Sequence, residues 1–352
     1  MVKKRVTSFD VAKRAGVSRS VVSAVLNGTA GIGMSRETRE AVLAAMEELD
    51  YHVDVQARGM KTGKSHCLAA FGDTKNPLFL QLLEGMQRAC ADNGYQVLLY
   101  GQGTKSQARS GLINLYQQRR IDGIITLDRT DYLDEEWAAA IEKHGIPYVS
   151  VEGYADHSGV TSILADYKDS IKRAMAYLME AHGETTPVYV ELGYNGEDRN
   201  WAERGRYAGY MEFCTEQGLT PQVEILAAPE PSSGAWDSFF DQNRTAELVA
   251  QYCGQGQPPV FLSNWMAGAV GFYRVAAAQG FAVGKDLFVM SGDNTFRANR
   301  YLFPTLSGME IPYARMGEKA IHELLAQSEK RPEERQAVKH RLLADLVPGE
   351  SA

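Results

Sequence analysis

No stretch of eighteen apolar residues occurs in the 352-residue chain, so no membrane-spanning helix is expected. The basic start, Met1-Val2-Lys3-Lys4-Arg5, leads into no apolar segment and Asp10 arrives early, so a secretory signal is not expected and the chain belongs in the cytosol. Cysteine is scarce: Cys67, Cys90, Cys214 and Cys253 are widely spaced with no CxxC pair, which argues against a zinc site and fits a reducing compartment. There is no GxSxG elbow and no HExxH, and the seven histidines are scattered. The segment from Gly59 to Ser65 ends like a phosphate-binding loop. A P-loop needs four residues between its glycines, however, and here there are three, with Arg58 at the required position. These absences exclude the common hydrolase and nucleotide-hydrolysis classes. Neither enzyme activity nor a cofactor nor a metal is expected.

What is present is unevenly distributed. Residues 1–65 carry eleven Lys plus Arg against seven Asp plus Glu, whereas the whole chain has a net charge of −7. A basic head on an acidic body suits a protein whose head alone meets phosphate.

The head holds the most informative stretch, residues 9–27, which reads as two short helices joined by a tight turn. Ser8 is placed to cap the first helix, and Val11, Ala12 and Ala15 form its apolar face. Gly16 ends it, because a φ > 0 conformation is cheap only without a Cβ. Ser18 caps the second helix, Val22, Val25 and Leu26 return to the core, and Arg19 and Ser20 remain on the exposed first turn. Such a helix-turn-helix presents that first turn to base edges in the major groove. A third helix, 36–49, follows Ser35 and carries the stripe Val42, Met46 and Leu49.

From Cys67 onward, short apolar runs alternate with amphipathic segments. Strands are expected over 67–71, 96–100, 121–127, 146–151, 188–192, 223–226, 259–263 and 287–291, with helices over 78–93, 106–119, 167–182, 204–217, 245–252 and 267–279. Two consecutive sets of βα units imply two Rossmann-like subdomains with parallel sheets, and a ligand site outside the carboxyl ends of the strands.

A helix-turn-helix, a third helix, Tyr51, Ala57-Arg58-x-x-Lys61 and Thr62-Gly63-Lys64-Ser65, in that order, resemble the lactose and galactose repressor family of bacterial regulators. The resemblance implies a small all-α helix-turn-helix head (1–52), a hinge helix and linker (53–65), and an α/β body like the type I periplasmic binding proteins (66–348). In that body lobe 1 would comprise about 66–164 plus 295–327, and lobe 2 about 166–292 plus 328–348. The strand at 304–307 would then belong to the first lobe and a final strand at about 338–346 to the second, with crossings near 165–166, near 293–295 and beyond a helix at 313–327. It also implies a cytosolic homodimer that binds a palindromic operator and a small polar effector, a sugar or glycoside. A nucleoside or sugar acid is the alternative effector, and a ligand-independent binder with a vestigial cleft the alternative function.

By the same resemblance Ser18, Arg19, Ser20, Ser23 and Asn27 face DNA, and Arg is the side chain suited to guanine O6 and N7. Ala24 stands where some relatives have a third base reader. Arg58 and Met60 belong to the hinge, with Met60 as the apolar wedge in the minor groove. Val53 stands where the family usually has proline, and Gly59 costs about 1 kcal/mol of helix propensity relative to Ala. In the body the resemblance assigns Arg206 as an oxygen clamp, Asp293 as an acceptor for ligand hydroxyls, Trp236 as an aromatic cover, and Asp73, Phe79, Asn264 and Trp265 as cleft residues. Asn264 replaces the usual aspartate.

Overall fold

A computed structural model describes residues 6–27, 35–52, 63–101, 105–130, 132–183, 185–193, 199–227, 242–253, 256–294 and 297–352. Contacts divide the chain into two compact units, Met1–Ser65 and His66–Ala352.

In the first unit α1 (Ser8–Ala15), α2 (Arg19–Asn27) and α3 (Arg36–Glu48) enclose a small core of Val11, Ala12, Val22, Val42 and Ala45. The N-cap of α1 is Thr7, one residue earlier than expected. Asp10 closes a capping box there, its carboxylate accepting from the Thr7 N–H at 2.8 Å and the Thr7 hydroxyl at 2.7 Å. Ser8 is instead the first helical residue. Gly16 has φ 67° and ends α1 as expected. Ser35 caps α3 by accepting from the Thr38 N–H at 3.2 Å, and Arg14 joins α1 to α3 through Glu48 at 2.5 Å.

The second unit runs β1 (Cys67–Phe71), α4 (Pro77–Asp92), β2 (Gln96–Tyr100), α5 (Lys105–Gln117), β3 (Ile124–Leu127), α6 (Glu135–Lys143), β4 (Tyr148–Val151), β5 (Thr161–Ala165) and α7 (Tyr167–His182). It continues β6 (Val188–Gly193), α8 (Trp201–Gln217), β7 (Val223–Ala227), α9 (Gln242–Cys253), β8 (Val260–Ser263), α10 (Met266–Gln279) and β9 (Phe288–Ser291). It ends β10 (Ser307–Glu310), α11 (Tyr313–Ser328), β11 (Lys339–Leu342) and β12 (Asp345–Val347). Among the described residues these strands form two six-stranded sheets, ordered β2-β1-β3-β4-β5-β11 and β7-β6-β8-β9-β10-β12. The paired strands are parallel except β10 with β12.

The lobes differ from the sequence expectation in their last strands. β10 lies in the second sheet beside β9, β11 in the first beside β5, and only β12 returns to the second. The chain therefore passes between lobes at 165–166, 311–312 and 343–344, so that the second crossing follows β10 instead of preceding it. A strand of three or four residues buries whatever its partner leaves open, and its own sequence names no partner. β5 was also outside the expected strands. It is joined to β4 by the non-helical segment 152–160, whereas parallel neighbours usually announce themselves by a crossover helix.

The helices α4 and α11 pack backbone to backbone in the first lobe. A Cβ on Gly85 would stand 1.8 Å from the Ala314 carbonyl oxygen, and one on Gly317 would stand 2.2 Å from that of Leu82. Gly317→Ala is expected to destabilise the body by about 2 kcal/mol through overpacking. Urea unfolding would test this, and a variant as stable as the parent would show that the helices can slide apart freely.

Candidate functional site

The carboxyl ends of the strands and the starts of five helices meet at a cavity of about 400 Å3. Leu127 and Asp128 at the end of β3 and Glu152 after β4 line its first-lobe side, with Asn76, the N-cap of α4. The Asn200 N-cap of α8 and the Trp265 N-cap of α10 line it from the second lobe. Tyr167 and Tyr313, the first residues of α7 and α11, stand directly after the first two crossings. Their hydroxyls are 3.1 Å apart. This pair ties together two of the segments that link the lobes.

Arg206 lies on the buried face of α8 with no exposed surface. Its guanidinium stacks over the Tyr167 ring at 4.3 Å and the Trp265 ring at 4.0 Å, both rings belonging to the cavity wall. Nε, Nη1 and Nη2 all lack a hydrogen-bond acceptor among the described residues. Glu152 is 1% exposed, and among the described residues neither of its carboxyl oxygens has a partner in hydrogen-bonding geometry. Burial pushes its carboxyl up to about 8, and the nearby Tyr167 hydroxyl, the Ala165 backbone and the charge of Arg206 offset only part of this. Burial, and then the proximity of Glu152, raises the phenols of Tyr167 and Tyr313 well above their ordinary range.

Asp128, by contrast, is fully engaged. It takes the Arg109 guanidinium and the Thr126 hydroxyl in very short contacts, the Ser150 hydroxyl at 2.7 Å and the Tyr148 hydroxyl at 3.4 Å. Arg109 is in turn surrounded by the rings of Tyr132, Phe71 and Trp137 at 4.2, 5.2 and 5.2 Å.

Of the residues singled out in the body, Trp265 lines the cavity and Arg206 packs against its wall. Asp293 is buried and accepts from the Met266 N–H at 2.6 Å, at the amino end of α10. Asn264 is buried too, and its amide pairs with both backbone groups of Leu192, at 2.9 and 3.3 Å, joining the ends of β6 and β8. Phe79 is a core side chain pressed over Gly72, and Asp73 is exposed and accepts from the Lys75 N–H at 2.9 Å. Neither Asn264, Phe79 nor Asp73 is part of the cavity lining. Trp236 lies outside the described residues, as do Arg58 and Met60 of the hinge. In the head, Ser18, Arg19 and Ser20 are exposed, with the Ser18 hydroxyl accepting from the Val21 N–H at 3.4 Å. Ser23 is half-buried, Ala24 is buried, and the side chain of Asn27 is outside the described set.

Sequence reasoning passes over Asp128, Glu152, Tyr167, Asn200 and Tyr313. Each follows a strand or opens a helix, so the rule that ligands sit at strand carboxyl ends was the available signal.

Two family models match the chain. The bacterial regulatory proteins of the lacI family match residues 9–54, and the periplasmic binding protein-like domain matches 176–352. The chain belongs to the LacI family. Among its relatives, the HTH-type transcriptional repressor PurR of Erwinia tasmaniensis is 29% identical over 339 residues, covering 94% of this chain and 93% of that protein. PurR of Klebsiella pneumoniae is 28% identical over 337 residues with the same coverage. The lac repressor dimer bound to operator and the anti-inducer ONPF shares the fold at TM-score 0.69 and 21% identity, over 99% of both chains. A complex of the transcriptional regulator CelR with cellobiose does so at TM-score 0.62 and 21% identity, over 99% of this chain and 100% of that one. This LacI-family chain is thus a DNA-binding transcriptional repressor with a ligand-binding body. Among the described residues no helix is long and apolar enough to cross a membrane, and no group of His, Cys, Asp and Glu is arranged to hold a metal ion.

Proposed function

We propose that this repressor acts as a homodimer on a palindromic operator and that a small polar metabolite in the inter-lobe cavity switches its operator affinity. The observation that carries the switch is Arg206: a fully buried guanidinium beside a cavity, its three nitrogens without a hydrogen-bond acceptor among the described residues. An unpaired buried charge is destabilising, so its retention points to a partner that arrives from solution. The Tyr167–Tyr313 pair, which joins two crossings at the wall of the same cavity, supplies the element that a ligand can bias. The ligand must prefer one lobe arrangement, since equal affinity for both shifts nothing.

A homodimer fits the two-fold symmetry of a palindrome. Large apolar side chains left on the surface of the body support it: Leu80 and Leu99 in the first lobe, and Tyr301 and Phe303 in the second.

Arg19, with Ser18 just before α2 and Ser20, Ser23 and Asn27 on it, is assigned to DNA contact. Selection from random duplexes would supply the operator. Arg19→Ala is then expected to weaken operator binding by about 10- to 100-fold, the range of one bidentate base contact. Fluorescence anisotropy on operator and scrambled duplexes checks this, and equal losses on both would reduce Arg19 to a phosphate contact. The switch itself is tested by titrating sugars, sugar acids, sugar phosphates and nucleobases into the repressor–operator complex. A compound that changes operator affinity by tenfold or more, and no longer does so with Arg206→Gln, supports the proposal. An affinity indifferent to every compound would favour a ligand-independent binder.

A further inference from the structure

We infer that Arg297 is an inter-lobe brace: from the second lobe it binds Glu84 on α4 of the first, and the pair favours the lobe arrangement seen here. Its effect on DNA rests on the switched-repressor reading, whereas the brace itself does not.

The contact joins two elements that the chain crossings do not themselves contain. Arg297 follows β9 of the second sheet, and its Nη1 lies 3.2 Å from Oε2 of Glu84, in the middle of α4. Arg315 of α11 also reaches the second lobe, at Asp345 of β12 (2.6 Å), but the same guanidinium donates to the Leu343 carbonyl of the third crossing at 3.2 Å. That pair travels with its crossing. Arg297 and Glu84 each travel with a different lobe, so their separation changes when the lobes turn on one another.

Both ends of the brace are held in place. On the first lobe Arg88 spans Oε1 of Glu84 at 3.4 Å and Glu318 of α11 at 2.6 Å. Glu84 and Glu318 stand beside Gly85 and Gly317, the glycines that let α4 and α11 touch, so the anchor is a closely packed helix pair. Arg88 orients the Glu84 carboxylate and leaves its other oxygen to Arg297, which spares part of the side-chain entropy that weakens most exposed pairs. On the second lobe Arg297 has φ 47°, a left-handed conformation that a residue with a Cβ adopts at a cost. Its N–H donates to the Asn294 carbonyl at 2.8 Å, and the buried Asn294 side chain accepts from the Ile311 N–H of the second crossing at 3.1 Å. The turn that carries Arg297 is thus fastened to that crossing while its guanidinium is fastened to α4.

Magnitude decides what such a brace can do. The side chains of Arg297 and Glu84 are 47% and 50% exposed, and a pair of that kind shifts an equilibrium by about fivefold at most. It is too weak to lock the lobes. It is strong enough to set the resting ratio of arrangements from which a ligand then moves them. Because the pair is exposed, salt screens it, and the resting ratio should follow ionic strength.

The test measures the distance between spin labels on the two lobes of the full chain without ligand, at the exposed positions Lys143→Cys of α6 and Gln217→Cys of α8. Cys67 and Cys253 are replaced by serine, Cys90 and Cys214 being buried, and labelled chains are diluted with unlabelled ones so that each distance lies within one chain. Arg297→Gln and Glu84→Gln are each expected to deplete the arrangement described here by about two- to fivefold. The double variant should lose no more than either single one, because both remove the same contact. Arg297→Lys should retain most of the effect. Raising NaCl from about 0.05 M to about 0.5 M should shift the parent in the same direction and leave Arg297→Gln unmoved. Distances that no variant changes, single effects that add in the double variant, or an equal salt response in Arg297→Gln would overturn the brace. Operator affinity of the same proteins is measured in parallel and is expected to change by up to the same factor. Distances that move while operator affinity stays constant would uphold the brace and count against the switched-repressor reading.

Discussion

Asp128→Ala is expected to destabilise the body by about 3–5 kcal/mol, the range for removing one partner of a buried ion pair. Arg109 and Asp128 have side chains only 8% and 2% exposed. Without Asp128 the guanidinium keeps its aromatic surroundings but loses its counterion, and the hydroxyls of Thr126, Ser150 and Tyr148 lose a shared acceptor. All four tryptophans, at 137, 201, 236 and 265, lie in the body, so their fluorescence during urea unfolding reports on it and not on the head. The penalty should come mainly from the stranded charge. The double variant Arg109→Met/Asp128→Leu is therefore expected to be more stable than Asp128→Ala alone. A double variant whose loss equals the sum of the two single losses would refute that explanation.

Glu152→Gln has the opposite sign. The carboxyl of Glu152 is held at about 8 in the folded chain against 4.5 in an ordinary setting. Between those values the folded state keeps a proton that the unfolded state releases, so stability falls as pH rises from about 4.5 to about 8 and is level beyond. An amide that mimics the protonated acid escapes this loss. At pH 7 the variant is expected to be more stable by about 3 kcal/mol, the gain vanishing near pH 4.5. Unfolding free energies of both proteins at pH 5, 7 and 8.5 check the slope. Parallel curves would mean that Glu152 is ionised in the folded state.

The two variants probe parts of one wall that were unequally visible beforehand. Arg206 was singled out because it and its neighbours on α8 match a family pattern. Asp128 and Glu152 carry no pattern of their own. Each is a single carboxylate after a short strand, and solvation is the ordinary fate of such a residue. Asp128 is enclosed by Arg109 of α5 and the hydroxyls of Thr126, Tyr148 and Ser150 from β3 and β4, and Glu152 lies beside Tyr167 of α7 and the Ala165 backbone of β5. Asn264 illustrates the converse. Its place in a recognisable motif suggested ligand contact, but its amide is spent on the backbone of Leu192, 72 residues away.

The sequence by itself determined the helices of the head, the alternation that makes the body two parallel α/β lobes, and the family to which both belong. Those features rest on interactions within a few residues: the Gly16 turn, the Ser18 and Ser35 caps, and apolar spacing at the helical or strand period. Only the tertiary structure decided which sheet β10 and β11 join, that Tyr167 meets Tyr313 across 146 residues, and that Arg206 and Glu152 are both buried without hydrogen-bond partners among the described residues. Strand pairing and the desolvation of charge depend on what the rest of the chain brings alongside, and a local stretch of sequence does not contain that information.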